Sequence, residues 1–217
     1  MKKIKFTIDF LIGHRKQNFL FLLTLFFLLS CNKEIKKWSF RPNEITGKDA
    51  FISHGNPKTS FSGSDKLHML SLSVNDSIPN DQRFLIRFGF RTIPDKTVVD
   101  SAFIYLYALE PGHFGKNNSF MSYEINELWV SRDVNWENQP ALREKSKKTY
   151  MAPQEKYQNY KIDVTDYVNK VLIGEIKNYG HLFMLEDEMK SYKGVRFHSS
   201  NSKKEELRPK LEVFYRE

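Results

Sequence analysis

Residues 83–90, RFLIRFGF, place Phe84, Ile86, Phe88 and Phe90 at every second position. Strand side chains alternate between faces, so this spacing demands a sheet with one buried face. The opposite face, with Arg83, Leu85, Arg87 and Gly89, is mixed. Residues 98–109, VVDSAFIYLYAL, alternate over a longer run. Ala102, Ile104, Leu106 and Ala108 point one way, and Phe103, Tyr105, Tyr107 and Leu109 the other. Both faces are expected to be partly covered, as in a central strand. Shorter strands are expected at 50–53, 66–72, 120–129, 157–162, 179–185, 194–198 and 211–215. Turn residues such as His54-Gly55-Asn56-Pro57 separate several of them. Residues 143–153 have the least ordered pattern. A single helix is expected near residues 164–173. Asp163 stands at its start, Val164, Val168, Val171 and Leu172 recur at helical spacing, and Gly174 ends it. Strands without βα alternation predict an all-β fold, a two-sheet β-sandwich of jelly-roll type, its interior filled from 18 Phe and 10 Tyr.

The lone cysteine, Cys31, rules out a disulfide framework within the chain, so an apolar core must hold the domain together. Before it runs LFLLTLFFLLS, residues 20–30, preceded by Lys2, Lys3, Lys5, Arg15 and Lys16. A basic segment, an apolar run and a small residue before the cut describe a bacterial secretion signal. The run is short for a bilayer-spanning helix, which needs about 20 apolar residues. Leu28-Leu29-Ser30-Cys31 resembles a lipobox, where cleavage leaves a lipid-bearing cysteine as the first residue. The expected organisation is a signal over 1–30, a tether over 31–48 and one domain over 49–217. The expected location is the cell envelope, lipid-anchored and at the outer membrane. Lys33-Glu34 loosely matches signals for surface export. Half of the formal charge of +8 lies in residues 1–30. In the rest, Lys and Arg alternate with acids, which argues against nucleic acid as a partner. Lys145–Lys148 and Lys203–Lys204 read as solvated loops.

Several segments occur together in order: Asp49-Ala50-Phe51-Ile52, Arg87-Phe88, Ser101–Leu106, Val134–Pro140, Asp163–Val168, Asn178-Tyr179-Gly180, Val195–Ser200 and Arg208–Leu211. Together they resemble the DNRLRE family of β-sandwich domains, related to carbohydrate-binding modules that include alginate binders. The resemblance implies a secreted or surface module that binds polysaccharide without cleaving it. It also implies that the Trp136, Asn138, Gln139, Pro140 cluster is a structural signature, and that a structural calcium is a frequent companion of such modules.

The residues themselves offer several sites. Arg87 and Arg196 each precede a phenylalanine in a strand, and a guanidinium suits the carboxylate of an acidic sugar. Trp129 offers an aromatic surface, and Tyr192 and His198 flank Arg196. Asp49, Asp187 and Glu188 are the carboxylates considered for calcium. A tryptophan such as Trp136 either stacks on a sugar or plugs the edge of the sandwich, its Asn and Gln neighbours tying down a loop. A protein-interaction module of the envelope is the competing reading. A hydrolase or lyase is a further one, with carboxylates among Glu124, Glu127, Asp133 and Glu137 or a Tyr192, Arg196, His198 set. The six histidines show no zinc-ligand spacing.

Overall fold

The inward-facing phenylalanines of the long strands meet between two sheets. The structure, a computed structural model, describes residues 34–72, 80–89, 92–94, 97–109, 118–188 and 193–216. Cys31, the preceding apolar run, Phe90 and Tyr192 lie outside the described residues. Ile35–Glu217 forms one compact unit. Its strands are β1 (Lys36–Phe40), β2 (Lys48–Ser53), β3 (Lys66–Ser71), β4 (Asp81–Arg87), β5 (Val98–Leu106), β6 (Phe120–Ile125), β7 (Leu142–Tyr150) and β8 (Tyr160–Asp163). Helix α1 (Thr165–Leu172) follows, then β9 (His181–Leu185), β10 (Lys193–His198) and β11 (Lys210–Arg216). One sheet has the order β1-β11-β5-β8. The larger runs β10-β3-β4-β9-β6-β7, with β2 paired to β4. Among the described residues the fold is all-β, a two-sheet sandwich with one short α-helix.

The larger sheet sends Phe84, Phe120, Phe183 and Phe197 inward, and the smaller one answers with Ala102, Ile104, Leu106, Leu211 and Val213. Phe84 and Phe183 are directly opposite across β4 and β9, their rings stacked at 4.7 Å. Truncating such a ring to Ala typically costs about 3–5 kcal/mol. A second apolar layer covers the outer face of the larger sheet. There Ala50, Ile52, Leu85 and Leu182, one step out of phase with the inward residues, pack under Trp129 and Val134 of the 126–141 segment. The mixed outer face of residues 83–90 is therefore covered by a loop.

Three expectations change. Part of the stretch expected as tether is strand: β1 pairs antiparallel with β11, Trp38 opposite Val213. The stretch expected to be least ordered contains β7, antiparallel to β6. Its sequence, LREKSKKTY, hides a strand because much of it is exposed at a sheet edge, where lysines deter further pairing. Lys145–Lys148 thus stand on a strand. Finally, Asp163 does not occupy the N-cap of α1. Val164 does, without a side-chain cap, while Asp163 Oδ1 accepts hydrogen bonds from the Thr165 backbone N–H (2.9 Å) and hydroxyl (2.7 Å). Gly174 adopts φ +77° after the helix, as a terminating glycine does.

The Asn178-Tyr179-Gly180 turn ties helix, sheet and loop together. Gly180 has φ +82°, and a Cβ there would meet the Ile86 carbonyl oxygen at 2.2 Å, so only glycine fits. Its N–H donates to the buried Tyr167 hydroxyl (2.7 Å), which in turn donates to Asn178 Oδ1 (2.9 Å). Asn178 donates to the Phe88 carbonyl (2.7 Å), and Trp129 Nε1 to that of Tyr179 (2.7 Å). Tyr167→Phe leaves the Gly180 N–H unpaired in the interior. The expected loss is about 1–3 kcal/mol, measured by urea denaturation.

Candidate functional site

At the end of the sandwich where β2 begins and β4 ends lies a groove of about 500 Å³. Phe40 and Phe88 supply apolar walls, Thr46 a hydroxyl, Asn178 an amide, and Lys48 and Arg87 positive charge. Lys48 and Arg87 are direct cross-strand partners. Side chains so placed stand about 5 Å apart at Cβ, and like charges there are destabilising unless an anion lies between them. Among the described residues neither is ion-paired with a carboxylate. The Arg87 guanidinium lies 5.7 Å from the centre of the Trp129 ring. Lys48 also lines a neighbouring polar hollow of about 330 Å³, with Arg132, Ser62 and Asn201. The Asp49 carboxylate beside it is buried and engaged: it accepts from the Ser200 N–H and hydroxyl, both at 2.8 Å. Burial pushes its pKa up, and those hydrogen bonds offset part of the rise.

Of the binding candidates read from the sequence, Arg87 and Trp129 come together. Trp129, however, is only 4% exposed. It backs Arg87 and anchors the covering loop instead of offering a face to a ligand. Arg196 stands elsewhere, on β10 opposite His68, with β3 between it and β4. His198 is buried with Nδ1 2.9 Å from Ser202 Oγ, and burial lowers its pKa. It is a structural histidine. The three carboxylates considered for calcium do not form one site. Asp49 serves Ser200, Asp187 faces Lys193 at 3.5 Å, and Glu188 is held by Arg83. Among the described residues no three His, Cys, Asp or Glu side chains gather as a metal set. Of the carboxylates weighed for hydrolysis, Glu124 faces Arg143 at 3.2 Å and is largely buried.

The Trp136 cluster holds the loop over the larger sheet. Asn138 Oδ1 accepts from the Asn135 N–H (2.7 Å) and its amide donates to the Asp133 carbonyl (3.0 Å). Gln139 donates to the Trp136 carbonyl and accepts from Arg83 at 2.8 Å. Arg83 and His54 both lie against the indole, at 4.5 and 4.9 Å. Arg83 also grips Glu188 through two hydrogen bonds, of 2.9 and 2.6 Å.

Sequence reasoning missed Lys48, Phe40 and Asn178. Lys48 sits at the edge of a turn-like stretch, and only its register against Arg87 gives it meaning. Phe40 lay in the expected tether.

A two-sheet sandwich with an open groove lined by aromatic, amide and cationic groups suits a carbohydrate ligand. The sequence agrees: residues 43–215 match carbohydrate-binding module family 96, and the chain belongs to that family. The match supports the carbohydrate-binding part of the resemblance seen in the sequence segments. None of the curated proteins compared with the chain matches it.

Proposed function

We propose that this module binds an acidic polysaccharide, with Lys48 and Arg87 receiving a sugar carboxylate in the groove at the end of β2 and β4. The observation that carries this reading is the register that sets these two cations opposite each other, neither ion-paired with a carboxylate among the described residues. An anion there relieves their repulsion, and the fork of Arg87 offers two parallel hydrogen bonds to a carboxylate. Phe40 and Phe88 supply apolar wall. Calorimetry against alginate, polygalacturonate and a neutral glucan tests it. Arg87→Ala is expected to weaken acidic-glycan binding roughly 10- to 100-fold, the worth of a charge-assisted hydrogen bond. Its thermal unfolding should stay close to wild type. Equal binding of neutral and acidic glycans would overturn the assignment of the carboxylate.

The same reading places the module in the cell envelope as a surface lipoprotein held through Cys31. The apolar run before Cys31 and its lipobox-like residues support it. Only residues 32–35 separate Cys31 from β1, a span of at most roughly 18 Å between Cys31 and Lys36. An anchor at Cys31 therefore keeps the sandwich close to the membrane. Mass spectrometry of the mature N-terminus checks it, and an unmodified Cys31 would refute it.

A further inference from the structure

The groove leaves unused the outer face of the smaller sheet. Phe103 and Tyr105 on β5, and Tyr107 just beyond it, alternate with buried Ala102, Ile104 and Leu106 and are half-buried on the opposite side. Strand residues two apart stand about 6.8 Å from each other, so the three rings form a ladder roughly 14 Å long. Cations flank it. Lys210 on β11 and Lys161 on β8 are both cross-strand partners of Tyr105. Their ammonium groups lie 4.3 and 5.9 Å from its ring centre, and Lys161 lies 3.8 Å from that of Phe103. Lys210 is held by Glu212 at 2.9 Å. Lys161 is exposed and ion-paired with no carboxylate among the described residues.

We propose that this ladder is a second glycan-binding surface, which takes a linear acidic chain laid along β5. Its sugar rings pack on Phe103 and Tyr105, and an acidic substituent sits beside Lys161. A row of half-exposed rings offers apolar contact at low entropic cost, and the Lys161 ammonium, which leaves its place over the Phe103 ring to meet the acidic substituent, supplies charge complementarity. The proposal rests on the reading of the module as a binder of acidic glycan. The groove opens at the end of the sandwich, whereas the ladder lies on the outer face of the smaller sheet, so the module engages polymer at two separate places and links neighbouring chains.

Calorimetry on the full chain in detergent, titrated with alginate and polygalacturonate oligomers, tests the idea. Two oligomers per chain are expected. Lys161→Glu is expected to weaken one binding event at least about tenfold by replacing attraction with repulsion, and to leave the other unchanged. Arg87→Ala is expected to do the converse. Lys161→Gln, which keeps the side chain's length, should give a smaller loss of the same event, and resonances of Phe103 and Tyr105 should shift on titration. One oligomer per chain, lost in Arg87→Ala and untouched by Lys161→Glu, would overturn the second surface and leave the groove intact. Binding unaffected by either variant would overturn both assignments, as would no binding by wild type.

Discussion

Arg83→Ala is expected to remove about 3–5 kcal/mol of stability, the cost of breaking a buried ion pair from one side. Arg83 points outward from β4 into a largely covered site. It meets Glu188 through two hydrogen bonds and Gln139 through a third, and lies against the Trp136 ring. Burial pushes the Glu188 pKa up, and the guanidinium offsets part of that rise. Removing the guanidinium leaves a buried carboxylate without its counter-charge and Gln139 without its donor. The Trp136 loop also loses the group that joins it to the sheet. Melting should fall by roughly 6–20 °C for a domain of this size. The loss should shrink in mild acid, where Glu188 takes up a proton and no longer needs a partner. Arg83→Lys, which keeps charge but not the paired hydrogen bonds, should lie between. A loss below about 1 kcal/mol at neutral pH would mean that the pair behaves as a solvated surface one.

Acid should weaken the fold well above the range in which carboxylates titrate, and His181 is the cause. The imidazole is buried against Tyr167, ring centres 4.4 Å apart. Burial first, then the Lys148 charge, lowers its pKa to about 3. An unfolded histidine binds a proton near pH 6.5, so between these values the unfolded chain holds more protons than the folded one. Stability is therefore full above about pH 6.5 and falls as pH drops toward 3. At 1.36 kcal/mol per unit, the fall reaches roughly 4–5 kcal/mol. Glu212 adds a separate, later loss. Burial alone would raise its pKa, but hydrogen bonds from Lys37, Lys210 and Tyr105 prevail and hold it at about 2. Its contribution is present above about pH 4.5 and disappears as pH falls toward 2. Urea midpoints followed from pH 8 to pH 3 should show both. His181→Gln should flatten the profile between 6.5 and 4.5, whereas Glu212→Gln should alter it only below 4.5. An unchanged slope in His181→Gln would clear the histidine.

The alternation in 83–90 and 98–106 was readable because burial imposes it residue by residue. Phe84 and Ile86 go inward whatever strand lies beside them. The edge strand β7 was not readable, because exposure removes the apolar half of the pattern. Trp129 illustrates a different limit. Composition presents it as a ligand platform, yet its N–H is spent on the Tyr179 carbonyl and its ring is covered. Arg87 was legible as a cation in a strand, but Lys48, 39 positions earlier, was not legible as its neighbour. The ladder of Phe103, Tyr105 and Tyr107 was visible as spacing, and Lys161 and Lys210 reach it only through pairing of β5 with β8 and β11.

By itself the amino-acid sequence determined the class of fold, the place of helix α1, its end at Gly174 and a core built without a disulfide. These follow from short-range periods and from composition, which need no knowledge of distant partners. Tertiary structure alone decided that Lys48 faces Arg87, that Arg83 is committed to Glu188, and that Arg196 and His198 stand apart from the groove. A period of two is unchanged when one strand slides by two residues along its neighbour, so alternation fixes the faces of a sheet and leaves its register open. Register emerges only when whole strands, turns and the covering loop pack together, and in this module register is what assembles the charges of the candidate site.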